Sequence, residues 1–158
     1  MYKMPIHLLL ADDDKDDCLL FQEALEELGV PAKLRVVSDG DHLMRLLEMC
    51  GDEAPKADAL PLIIFLDLNM PRKNGFECLT AIKQSGRFKD IPVIIFSTSY
   101  DKDVASLLYQ QGVQHYIRKP SEFSKLKKVI RDALALILEK NSPGRERDKP
   151  EERDKFII

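Results

Sequence analysis

Charge of one sign, paired cysteine, clustered histidine and long apolar runs are all scarce in this 158-residue chain, and each shortage excludes a class of function. Lysine and arginine number 24 against 27 aspartates and glutamates, so a formal charge of −3 is too balanced for a surface built to neutralise phosphate backbones. Direct nucleic-acid binding is not expected. Cys18, Cys50 and Cys78 cannot all pair, and none stands in a C-x-x-C or Cys/His metal spacing. They read as buried thiols of a reducing, cytoplasmic compartment. His7, His42 and His115 fall in different segments, which disfavours a histidine metal site. The N-terminal apolar run, Ile6 to Ala11, is far below the roughly 20 residues that span a bilayer, and it runs straight into Asp12, Asp13 and Asp14. Neither a signal peptide nor a membrane anchor is expected.

What is present is the composition of one globular domain, 44% hydrophobic and 32% charged. No second catalytic or DNA-binding domain is expected in this length. Apolar runs of strand length alternate with helical patterns, the sequence form of successive β–α units around a parallel sheet buried on both faces. Five units can be counted. Strands are expected at His7–Ala11, Lys33–Val37, Leu62–Leu66, Val93–Phe96 and Gln114–Arg118. Helices are expected at Lys15–Leu28, stopped by Gly29, at Asp41–Met49, from Phe76 to near Gly86, at Asp101–Gln111, and from near Glu122 to Lys140. Leu62-Ile63-Ile64-Phe65-Leu66 is continuously apolar and β-rich, and belongs at the centre of the sheet. Residues 51–60 read as a polar loop. After Lys140 charge dominates without periodicity, so 1–140 reads as the folded domain and 141–158 as a flexible tail.

In an open parallel sheet, ligands bind beyond the carboxyl ends of the strands. There the chain places Asp12-Asp13 after the first strand, Asp67 after the third, Ser97-Thr98 after the fourth and Lys119 after the fifth. Two carboxylates about 4 Å apart repel by roughly 4 kcal/mol at an effective dielectric near 20, so the cluster calls for a cation. Oxygen ligands without nearby His or Cys favour Mg²⁺ and disfavour zinc. With a metal in place one aspartate can attack phosphorus while the cation and Lys119 absorb the developing charge. Asp67, at the tip of the central strand, is the best candidate for that nucleophile, and the Asp12-Asp13 pair suits the metal.

The motifs LLLADDD at 8–14, FLDLNMPRKNGFE at 65–77, IPVIIFSTS at 91–99 and YIRKP at 116–120 stand in order at these strand ends. With them, Ile6 to Lys140 resembles the receiver domain of two-component response regulators. The resemblance implies a flavodoxin-like (βα)5 three-layer sandwich with strand order 2-1-3-4-5. It implies phosphoryl transfer to Asp67 from a sensor histidine kinase or His-phosphotransfer protein. It further implies Mg²⁺ or Mn²⁺ on Asp13 and Asp67 directly, on Asp12 largely through water, and on the backbone carbonyl of Asn69. Lys119 would pair with the phosphoryl oxygens and Ser97 would move to hydrogen-bond them. Tyr116 would swing inward, changing the face made by helix four, strand five and helix five for a downstream protein. A cis Lys119-Pro120 bond is expected to aim the lysine.

Some residues depart from the pattern or carry other readings. Asp14 reads as the N-cap of helix one, with Asp16 and Asp17 favouring the helix dipole. Thr98 follows Ser97 where many relatives have a smaller residue, which bears on phosphoryl lifetime. Leu136 and Leu138 lie off the main apolar stripe of the last helix and suggest a homodimer. With only a charged tail after Lys140, the chain reads as a stand-alone regulator, resembling those paired with phytochrome-like or hybrid sensor kinases. One rival is a haloacid-dehalogenase-like phosphatase, which needs a second Asp where Asn69 stands. Another is a phosphorylation-independent interaction module.

Overall fold

A computed structural model of the chain describes residues 6–53 and 62–140, which alternate strand and helix throughout. The elements are β1 (Ile6–Ala11), α1 (Lys15–Leu28), β2 (Ala32–Val37), α2 (Gly40–Glu53), β3 (Leu62–Leu66), α3 (Gly75–Gln84), β4 (Val93–Ser97), α4 (Lys102–Gln110), β5 (His115–Arg118) and α5 (Phe123–Lys140). The five strands form one parallel sheet in the order β2-β1-β3-β4-β5. This is the flavodoxin-like order implied by the sequence, and it puts β3 in the middle.

Alternate residues of each strand face opposite sides, so continuously apolar strands supply two cores at once. On one side Leu8, Leu10, Ile63, Phe65, Ile94, Phe96 and Ile117 pack against α1 and α5. On the other, Leu9, Ala11, Ile64, Leu66, Val93, Ile95 and Tyr116 pack against α2, α3 and α4. Ile63 through Leu66 are entirely buried, and each such side chain is worth about 1.5–3 kcal/mol of transfer free energy. Phe21, Phe65 and Phe96 meet edge to face, with centroids 4.9–6.1 Å apart, and tie α1 to the centre of the sheet. At the edge, β2 buries only Val37.

Helix starts follow the expected capping chemistry. Asp14 accepts from the backbone N–H groups of Asp16 and Asp17, so its N-cap role holds. Asn74 and Glu77 form a capping box on α3, and Asp101 caps α4. Gly29 closes α1 at φ 69°, a left-handed conformation that a side chain would oppose. Gly75 has a different reason to be glycine: a Cβ there would overlap the carbonyl oxygen of Asp67 and crowd Leu68. The start of α3 is thereby packed against the end of β3, and Gly75 N–H donates to Leu68 O at 3.0 Å.

Three expectations differ from the structure. Helix α2 begins at Gly40, expected in a turn, and continues to Glu53 where a loop was expected from Gly51. No proline interrupts it before Pro55. The remainder of that loop, 54–61, and the tail, 141–158, lie outside the described residues. Leu138 packs against the core shared by α1 and α5, so it is not a surplus apolar residue; Leu136 stays half-buried off that stripe. Among the described residues no peptide bond is cis, so the Lys119-Pro120 bond is trans, against expectation. The trans form is the lower-energy one by roughly 0.5–1 kcal/mol for such bonds, and the lysine reaches its partners without the exchange.

Candidate functional site

Ladder hydrogen bonding runs one residue past β1, β3 and β5 and fixes the backbone of the residues that follow. Asp12 N–H donates to Val37 O at 2.9 Å, Asp67 N–H to Ala11 O at 2.9 Å and Lys119 N–H to Ser97 O at 2.7 Å. Each polar side chain therefore leaves the carboxyl edge of the sheet from an immobilised Cα. Asp12, Asp67 and Ser97 are buried, while Asp13 and Asn69 are exposed at the rim.

Lys119 organises the cluster. Its Nζ donates to Asp12 Oδ2 at 2.6 Å and to Asp17 Oδ2 at 2.8 Å, and lies 3.6 Å from Asp67 Oδ2. Asp12 Oδ1 accepts from Asp14 N–H at 3.0 Å, and Asp67 Oδ1 from Asn69 N–H at 3.3 Å. Burial pushes the Asp12 carboxyl up to about 6, outweighing the hydrogen bonds from Lys119 and Asp14 that pull it down. Burial also opposes the Lys119 ammonium, but hydrogen bonds to Asp12 and Asp17 and the charge of Asp67 raise its pKa on balance. The lysine stays charged at any physiological pH.

Asp12, Asp13 and Asp67 each offer a carboxylate oxygen within 4.8 Å of the others. An all-oxygen donor set of this charge, with no His or Cys in the group, fits a hard divalent cation and not zinc. Beside it Ser97 Oγ is fully buried and meets no protein hydrogen-bond partner among the described residues. An unmet buried hydroxyl costs about 1–3 kcal/mol.

Tyr116, expected to swing inward, is inside in this structure, with only 1% of its surface exposed. Its Oη donates to Ser99 O at 2.7 Å, its backbone N–H donates to Tyr109 Oη at 3.0 Å, and the Tyr100 ring meets it edge to face. Burial raises its phenol pKa. Cys18 and Cys78 are pushed up to about 11, again chiefly by burial, which keeps both thiols protonated and inert. His7 and His115 sit in β1 and β5 and His42 in α2, so the scattered histidines stay apart from the carboxylate cluster.

Sequence reading missed Asp17. It lies in the first turn of α1 as the helix-dipole reading has it, and in addition shares Lys119 with Asp12, whereas its neighbour Asp16 is exposed. The available signal was helical phase: Asp17 precedes buried Phe21 by four residues and thus lies on the inward stripe of α1.

A family model described as the response regulator receiver domain matches residues 8–131. The chain belongs to the response regulator receiver domain family. Response regulator Rcp1 of Synechocystis sp. is 34% identical over 137 residues, covering 85% of this chain and 90% of that protein. The probable methanogenesis regulatory protein FilR2 of Methanothrix harundinacea is 31% identical, covering 89% of each chain. Among solved structures, the phosphorylated cyanobacterial phytochrome response regulator RcpA is 33% identical with a TM-score of 0.73, covering 87% of this chain and 97% of that one. The Mn²⁺-bound form of Rcp1 is 31% identical with a TM-score of 0.71, covering 87% of this chain and 98% of that one.

The receiver is thus a component of two-component phosphorelay signalling and not a conventional enzyme. Membership decides against the haloacid-dehalogenase-like alternative. Among the described residues, no helix of this receiver is long and apolar enough to cross a membrane.

Proposed function

We propose that Asp67 is the phosphoacceptor of this receiver and that its donor is a phosphohistidine on a sensor histidine kinase or phosphotransfer protein. The observation that carries the reading is Lys119 Nζ held among Asp12, Asp17 and Asp67 beside three converging carboxylates. Mg²⁺, or Mn²⁺ in its place, would be held by Asp12, Asp13, Asp67 and the backbone carbonyl of Asn69. When bound it supplies Lewis-acid neutralisation of the carboxylates and of the incoming phosphoryl oxygens.

The rest is done by the protein's own groups. Asp67 presents a carboxylate oxygen to phosphorus; the new O–P bond forms as the bond to the donor breaks, and the donor leaves with that electron pair. Lys119 balances the negative charge on the phosphoryl oxygens. Ser97 Oγ gains there the hydrogen-bond partner that it lacks, and the Ser97 movement is relayed through Tyr116 to the α4-β5-α5 face that meets a downstream protein. The relay through Tyr116 is supported by the bond from its Oη to Ser99 O, two residues from Ser97.

Incubation with a small acyl phosphate and Mg²⁺, read by intact mass, tests the assignment. Wild type gains about 80 Da, the mass of a covalently transferred phosphoryl group, and Asp67→Asn does not. An equal gain by both proteins contradicts it.

A further inference from the structure

Lys119 has three N–H donors and an unequal choice of acceptors. Two are spent, on Asp12 Oδ2 at 2.6 Å at the end of β1 and on Asp17 Oδ2 at 2.8 Å in the first turn of α1. Only the longer 3.6 Å separation is left toward Asp67 Oδ2. Asp12 is one of the three clustered carboxylates, and Asp17 is not. Among the described residues, the sole polar contact of the Asp17 side chain is Lys119. Its backbone is fixed, since its N–H donates to Asp14 Oδ1 at 3.1 Å within the capped first turn of α1. The side chain remains 29% exposed at the rim of the crevice, so it is a partner that the lysine can release.

We propose that Asp17 is a positioning residue that tethers Lys119 toward α1 and restrains phosphoryl transfer to Asp67. This rests on the phosphoacceptor reading above. Its charge acts in two ways that point in opposite directions for the two ligands of the site. For an anionic phosphoryl donor, Asp17 adds repulsion and competes for the ammonium that the phosphoryl oxygens need. For a divalent cation it adds attraction and shares the charge of a lysine that otherwise falls wholly on Asp12 and Asp67. Neutralising it therefore speeds transfer and weakens the metal, whereas a residue that merely supported the fold would, when lost, damage both.

The test compares wild type, Asp17→Asn, Asp17→Ser and Asp17→Glu. Acetyl phosphate is the donor at saturating Mg²⁺: an O–P bond to Asp67 forms, the acetyl O–P bond breaks and acetate leaves with the electron pair. The rate of mass gain gives the first readout, and Mn²⁺ affinity from the free-ion paramagnetic resonance signal the second. Asp17→Asn and Asp17→Ser are expected to gain mass about three- to fivefold faster and to bind Mn²⁺ about two- to fivefold more weakly, the scale of one partly exposed ion pair. Asp17→Glu stays near wild type on both. Unchanged or slower transfer in both neutral variants, or undiminished Mn²⁺ affinity, overturns the tether. Failure of wild type itself to gain mass would instead overturn the phosphoacceptor reading, so the two failures are distinct.

Discussion

Lys119 Nζ lies an ångström closer to Asp12 than to Asp67, 2.6 Å against 3.6 Å, although all three side chains are buried at one end of the sheet. The lysine is thus first a counter-ion for Asp12 and only second a neighbour of Asp67. Removing one member of a buried pair leaves an uncompensated charge, which costs about 3–5 kcal/mol. Lys119→Met is expected to lose about 3 kcal/mol of stability in urea unfolding at neutral pH without divalent ions, and to recover part of it when Mg²⁺ is added. A variant as stable as wild type under both conditions would show that the pair carries no such weight.

Ser97 gives the opposite sign. Its buried Oγ lacks a partner, so Ser97→Ala removes an unmet polar group while leaving the backbone bond from Lys119 N–H to Ser97 O in place. The alanine variant is expected to be about 1 kcal/mol more stable, yet to lose the acyl-phosphate-dependent change around Tyr116. Tyrosine ring resonances before and after phosphorylation provide the check, together with a melting curve. Greater stability with the change intact would leave Ser97 a plain core residue.

The raised Asp12 carboxyl predicts the pH dependence. Because its folded value, about 6, exceeds that of the unfolded chain, the bound proton stabilises the fold below the ordinary carboxylate range. That contribution disappears as pH rises through about 6. A divalent cation needs the same carboxylate deprotonated, so its affinity is expected to fall below pH 6, approaching tenfold per pH unit. The increment in melting temperature given by Mg²⁺ should accordingly be larger at pH 7.5 than at pH 5. A larger increment at pH 5 would reverse the sign.

Gly75 couples the fold to the site. Since a Cβ there overlaps Asp67 O, Gly75→Ala must push α3 from the end of β3. A loss of about 1–3 kcal/mol is expected, with slower mass gain from acyl phosphate because Asp67 is displaced. Gly29→Ala, where a Cβ meets nothing within 4 Å, separates the two causes: left-handed strain alone should lower stability and leave transfer at the wild-type rate.

Much of this was legible beforehand because a parallel sheet converts sequence order into position. Five apolar runs mark five strands, and the residue after each run must appear at one edge, which is how Asp12, Asp67, Ser97 and Lys119 come together. Side-chain pairing is not encoded that way. The pairing of Asp17 with Lys119 was missed because the two lie 102 residues apart, and only the helical phase shared with Phe21 hinted that Asp17 faces inward. The Lys119-Pro120 bond was misread because its isomer depends on tertiary contacts around it, to which the sequence motif is silent. Helix α2 ran past its expected end because Gly51 alone is a weak stop.

The most direct test of the central claim locates the phosphoryl group. After treatment with acyl phosphate and Mg²⁺, borohydride reduces an aspartyl phosphate to homoserine, and peptide sequencing by mass spectrometry reads the position. The account predicts homoserine at residue 67 and aspartate retained at 12, 13 and 17. Homoserine at any of those three positions, or unmodified aspartate at 67 in protein that has gained the phosphoryl mass, would contradict it.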